Sequence, residues 1–181
     1  MSPRPTPDLD HRRDQVLHAA RRVAESDGWA ALTMRRLAGE LGVTQPVLYS
    51  AFASRQAIID AVALDGFSDI AAALEAVEAS PLARMRAYLD FAADHPQLYE
   101  AMFSMPSGLA FAAESATPEP LHRAFEAVRA VFPDADGTRA EVAWSTLHGL
   151  ATLQAGGRLR ASQVQARLDL AHRMLAQQET L

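Results

Sequence analysis

Apolar residues recur three and four positions apart along almost the whole chain, and no stretch shows the alternating pattern of Val, Ile, Thr and aromatics that marks a strand. Segments patterned in this way bury one stripe each against other helices, so an all-α fold is predicted. The chain has 181 residues, 49% of them apolar, with 9 Gly and 10 Pro, which suits a folded domain with a real core rather than a fibrous or disordered polymer. No apolar run approaches the ~18 to 20 residues of a membrane span, and Pro3, Pro5 and Pro7 precede a charged stretch instead of a signal-peptide core. A cytoplasmic protein without a membrane partner is expected. The absence of Cys removes disulfides, thiolate zinc sites and thiol catalysis together.

Caps and breakers divide the pattern into helices. The stripe Val16, Ala19, Ala20, Val23 and Ala24 belongs to a first helix that starts at Asp8 or Asp10 and reaches Asp27, with Gly28 as terminator. Thr33 is the expected N-cap of a second helix ending near Leu41, with Leu32 and Leu37 as a hydrophobic staple. Thr44 repeats the arrangement for a third helix to Ala51, where Val43 and Leu48 form the staple and Pro46 sits harmlessly in the first turn. Ser54 caps a longer helix through Ile58, Ile59, Val62 and Phe67 to about Val77. Pro81, Pro96, Pro106, Pro118, Pro120 and Pro133 then punctuate the chain into helix-length pieces. Two longer amphipathic helices follow, Thr138 to about Gly156 and Ser162 to about Gln178. The domain organisation expected is a disordered start over 1–9, a three-helix unit over 10–54, and a helical bundle over 55–181, joined through the helix that begins at Ser54.

The second and third helices are separated only by Gly42 and Val43, the spacing of a helix-turn-helix whose second helix enters the DNA major groove. Val43, Leu48 and Phe52 form the inward face. Thr44, Gln45, Pro46, Val47, Tyr49 and Ser50 are left outward, as short polar or methyl-bearing groups suited to base edges, thymine methyls and phosphates. Thr44 also leaves first-turn N–H groups for a phosphate. Tyr49 lies off the inward face, which favours a phosphate contact over a packing role. The net charge of −5 argues against unspecific coating of nucleic acid, but residues 1–60 hold eight Arg against seven acids, and every basic residue is an Arg, whose planar fork grips phosphate.

The run from Thr33 to Arg55, TMRRLAGELGVTQPVLYSAFASR, resembles the DNA-binding motif of TetR/AcrR-type transcriptional regulators over roughly residues 12–65. Two positions depart from the usual pattern: Ala51 replaces a His or Tyr before the Phe, and Arg55 replaces a Lys while keeping a positive charge for phosphate. The resemblance adds Thr33, Arg35 and Arg55 to the DNA-contact set. The segments His95 to Phe103 and Trp144-Ser-Thr-Leu-His148-Gly149 resemble the regulatory domain of the subgroup named for its Trp, His and Gly. The resemblance implies a homodimeric regulator, usually a repressor, which binds a palindromic double-stranded operator and is released by a small apolar or amphipathic effector. A DNA-binding regulator without an effector, controlled by a partner protein or by its own concentration, is the alternative.

The second half of the chain is rich in aromatics and Met, most of which must be core, although a bundle broken by prolines also leaves apolar cavities. Phe91, Leu98, Met102, Met105, Phe111, Trp144 and His148 are the candidate effector contacts. A His one turn after Trp144 is as readily a hydrogen-bonded core residue. Dimerisation is expected on the last two helices, through Val142, Thr146, Gly149, Leu150 and Leu153 on one and Val164, Leu168, Ala171 and Leu175 on the other. Asp90, Asp94 and His95 are read as helix-end residues and not as metal ligands. No cofactor, metal or catalytic residue is expected, since the chain holds no Gly-rich phosphate loop, no Gly-x-Ser-x-Gly and no His-Glu-x-x-His.

Overall fold

The computed structural model describes residues 9–110 and 116–176, so most of the proline-rich start, Phe111 and the end of the last expected helix lie outside the described residues. Among the described residues there are nine α-helices and no strand: α1 (Leu9–Asp27), α2 (Met34–Glu40), α3 (Gln45–Ala51), α4 (Arg55–Glu75), α5 (Pro81–Asp94), α6 (Pro96–Phe103), α7 (Glu119–Arg129), α8 (Thr138–Ala155) and α9 (Val164–Ala176). Single 3₁₀ turns occur at Trp29–Ala31 and Ala161–Gln163. Leu9, assigned from sequence to the disordered start, is the first residue of α1.

The chain divides into two compact units, one comprising residues up to Leu64 with Gln97–Leu109, the other Asp65–Pro96 with the described residues from Ala110 onward. In the first, the predicted stripe of α1 is buried throughout, and α1 packs against α2 and α3. Leu32, Leu37, Leu48, Ile58 and Val62 complete this core at 0% exposure. Burying four Leu or Ile side chains and a Val contributes roughly 1.5 to 3 kcal/mol each before the entropy of ordering them. That is why so small a helical unit holds together.

In the second unit α5 packs against α8 and α9, and α7 against α8. Ser80 caps α5 by accepting from Ala83 N, with Pro81 in the first turn, and Pro96 forces the break between α5 and α6. Asp134 accepts from Gly137 N (2.8 Å) and Arg139 N (2.7 Å), which satisfies the exposed amides at the start of α8. The Arg139 guanidinium donates to Leu175 O (2.7 Å), tying the start of α8 to the end of α9. Arg123 and Glu75 form a two-pronged ion pair between α7 and α4, and the Arg123 hydrogen bond holds the Glu75 carboxyl below the usual carboxylate range.

The two faces of α9 do not match the expected dimer set. Leu168 (4% exposed) and Ala171 (9%) are buried within the second unit, in which α9 packs against α5 and α8, so they are core residues of one chain. The apolar residues that α9 leaves outside are Val164, Leu170 (51%) and Met174 (69%). Two apolar stripes run along one helix, and spacing alone does not say which of them the helix's own bundle takes. On α8, by contrast, Val142 (51%) and Leu153 (40%) are exposed, and a Cβ added at Gly149 would meet nothing within 4 Å.

Candidate nucleic-acid interface

The residues before α2 set its start. Thr33 is extended (φ −131°, ψ 153°) and its Oγ1 accepts from Arg36 N at 3.1 Å, the N-cap read from the sequence. At the other end Gly42 adopts φ +63°, a left-handed conformation costly for any residue with a side chain. Val43 N then donates to Ala38 O (2.9 Å), closing the turn that joins α2 to α3. Thr44 stands as N-cap of α3 but makes no side-chain capping bond, so its hydroxyl is not committed to the helix.

The seven residues of α3 divide sharply. Leu48 (0% exposed) and Ala51 (8%) face inward, and α3 packs there against α2 and α1. The other five residues, Gln45, Pro46, Val47, Tyr49 and Ser50, are all exposed, Tyr49 by half, and so is the N-cap Thr44. Thr33 and Arg35 are exposed on the neighbouring α2 and its cap. Ala51, where the resembling motif carries an aromatic or His, is part of the core.

The arginines of this unit have diverse duties. Arg36 pairs with Asp27 (2.5 Å) and Glu40 (3.7 Å), and the hydrogen bond from Arg36 keeps the Asp27 carboxyl below its ordinary range. Arg13 lies over the Phe52 ring, 5.2 Å from its centre. Arg55, a candidate phosphate contact, is half-buried and bonds within the unit: its Nε donates to Leu32 O (2.7 Å) and its Nη2 to Trp29 O (2.6 Å). The acceptors lie at the 3₁₀ turn Trp29–Ala31 and its C-cap Leu32: Leu32 O takes the Nε bond, and Trp29 O, which also accepts from Leu32 N (3.2 Å), takes the Nη2 bond. Trp29 is itself held through Nε1 donating to Gln97 O (2.8 Å). Sequence reasoning missed both, because a Trp after a helix-ending Gly reads equally well as a loop anchor or a core residue.

The expected effector residues fall in both units. Leu98 and Met102 are buried and Met105 half-buried in the first unit, whereas Phe91, Trp144 and His148 belong to the second. In the second unit Trp144 has Tyr88 (5.7 Å between ring centres) and Phe125 (6.0 Å) around it. A separate open groove of about 380 Å³ has Ala73, Val77, Ala87 and Phe91 among its apolar lining and Arg86, Asp90, Asp94 and His95 as its polar lining. Among the described residues no group of three or more His, Asp or Glu could hold a metal ion.

Burial lowers the pKa of His148 and keeps the ring neutral. An unfolded chain takes up this proton near the ordinary value of about 6.5, while the folded chain takes it up only lower. Stability is therefore complete above that range and falls as pH drops through it, until the folded ring also protonates. His148→Gln is expected to flatten this part of the curve of melting temperature against pH, read by circular dichroism between about pH 7.5 and 5.

The chain is similar to known proteins in both halves. Residues 16–62 match the family profile described as bacterial regulatory proteins, tetR family, and residues 82–177 match the profile described as tetracyclin repressor-like, C-terminal domain. An uncharacterized HTH-type transcriptional regulator of Mycobacterium tuberculosis is 30% identical over 155 residues, 80% of this chain and 71% of that protein. The class C tetracycline repressor protein of Escherichia coli is 42% identical over 52 residues, 29% of this chain and 24% of the repressor. A solved structure of a protein with unknown function from Rhodococcus sp. RHA1 superposes with a TM-score of 0.72 at 31% identity, covering 96% of this chain and 95% of that one. Among the described residues no helix is long and apolar enough to cross a membrane. With a helix-turn-helix whose second helix presents only exposed groups outward, and with profile matches over both halves, the chain belongs to the TetR family of DNA-binding transcriptional regulators.

Proposed function

We propose that this regulator is a cytoplasmic homodimeric repressor that binds a palindromic operator through α3 and is released by a small apolar or amphipathic effector. The single observation that carries the DNA reading is the division of α3: Leu48 and Ala51 buried, and its other five residues exposed together with the cap Thr44. Gln45 and Val47 read base edges, while Tyr49, Ser50, Thr44, Thr33 and Arg35 hold the backbone. The domain that does this spans residues 10–54, and 55–181 carry dimerisation and effector binding. Trp144, His148 and Gly149 support membership of the Trp-His-Gly subgroup, and the likeness over 52 residues to a tetracycline repressor supports repression over activation.

A dimer would bring together the outer face of α8, Val142, Thr146, Gly149, Leu150 and Leu153, with Val164, Leu170, Met174 and the half-buried Leu175 of α9. Val142, Leu153, Leu170 and Met174 are apolar and exposed in the single chain, and Gly149 leaves room for a helix to approach. Such an interface should bury on the order of 1,200 to 2,000 Å². The effector would sit against Phe91, Trp144 or His148, and α4, which runs unbroken from Arg55 to Glu75, would carry the response from one unit into the other.

The test is enrichment of a duplex from a randomised pool by the full chain, followed by base-by-base substitution in that duplex. Gln45→Ala should cost about 1 to 3 kcal/mol, concentrated at one base position per half-site. An even loss at all positions would place Gln45 away from the bases.

A further inference from the structure

We propose that Arg55 is a positioning residue of the DNA-binding unit and not a phosphate ligand. Its guanidinium holds the recognition helix by clamping the chain just beyond α3 onto the carbonyls just before α2. This rests on the DNA reading above and assigns the motif's cation a different job. Nε and Nη2 reach Leu32 O at 2.7 Å and Trp29 O at 2.6 Å, 23 and 26 residues back along the chain. Leu32 is 0% exposed and Trp29 5%, and Thr33, the cap of α2, follows directly. Arg55 itself directly follows Ser54, whose Oγ accepts from Ala57 N at 3.1 Å to cap α4. The stretch 33–54, which contains α2, the turn and α3, is thereby closed into a loop at its base, while Val43 N to Ala38 O (2.9 Å) fixes it at its middle.

The chemistry calls for a guanidinium. Two carbonyls about one turn apart are met by two N–H groups fixed in one plane, a fork that an ammonium on a flexible stem does not offer. Removal of the fork leaves two carbonyls in a largely buried setting without their charged donors, so the turn before α2 and the angle of α3 relax together. What is lost is the aim of the outward residues of α3, and with it the contrast between right and wrong bases.

Salt separates aim from charge. Removing a cation that neutralises one phosphate lowers the slope of log K against log salt by about 0.9, whereas a misaimed helix whose cations still sit on phosphates keeps the full slope. The experiment uses the full chain, the duplex enriched by the wild-type protein, and its single-base variants, with anisotropy titrations over about 50 to 300 mM salt. Arg55→Ala and Arg55→Lys are both expected to bind the enriched duplex about tenfold or more weaker, with the wild-type slope and with a narrowed gap to the single-base variants. A slope lower by about 0.9 in Arg55→Ala with that gap intact, or wild-type binding by Arg55→Lys, would overturn the proposal. Should Arg55→Ala fail to fold, Arg55→Lys decides alone, because it keeps the charge and loses the fork. A wild-type chain that enriches no duplex overturns the DNA reading and this proposal with it, and it does so before any variant is made.

Discussion

Leu153→Glu combined with Leu170→Glu is expected to turn the proposed dimer into monomers and to weaken binding to a two-half-site operator by about a thousandfold or more, because each half-site would then have to be bound separately. Both side chains are exposed in the single chain, at 40% and 51%, so a charge at either position costs the unit itself little. Buried against a second copy without a partner, the same charge costs several kcal/mol. Sedimentation velocity reads the outcome, and a stable dimer of the double variant would move the interface to another face. Leu168→Glu is a poor substitute: Leu168 is 4% exposed within its own unit, and a charge there would unfold the bundle whether or not a dimer forms.

Leu48→Ala should remove about 2 to 5 kcal/mol from the first unit, the range found where a fully buried Leu leaves a cavity. Leu48 is 0% exposed and is the main inward anchor of α3, whose only other buried residue is the small Ala51. DNA binding should collapse although no outward residue has changed. Thermal unfolding followed by circular dichroism measures the first effect and anisotropy the second. Full operator affinity in a destabilised variant would mean that α3 is held by something other than Leu48.

Much of this was legible in the sequence, for reasons that differ by element. Thr33, Gly42 and Pro46 act within a turn of themselves, so the caps and the turn of the helix-turn-helix follow from local chemistry. The inward and outward sides of α3 followed too, because seven residues beside a tight turn allow little choice of face. Arg55 could not be read in this way. Its partners lie 23 and 26 residues away, and a motif position assigns a charge without saying where the side chain turns.

The second unit was legible in several of its helix ends but not in its surfaces. Pro81, Pro96 and Gly157 mark ends locally, and Gly157 shows the left-handed φ of +65° that such an end requires. Which stripe of α9 faces α5 depends on the shape of the whole bundle, and Leu168 and Leu170 are equally apolar. The same dependence scattered the aromatic and Met residues, placing Leu98 and Met102 in one core and Phe91 in another.

The central claim is that the outward side of α3 lies on DNA, and the missing cysteines allow a direct measurement. Any introduced Cys is the only one in the chain, so its rate of reaction with a maleimide reports one place. Ser50→Cys on α3 and Glu78→Cys beyond α4 are both at exposed positions and should react readily without DNA. On saturation with the enriched duplex, Ser50→Cys is predicted to be protected by about tenfold or more while Glu78→Cys reacts as before. Equal reactivity of Ser50→Cys with and without bound duplex would contradict the account.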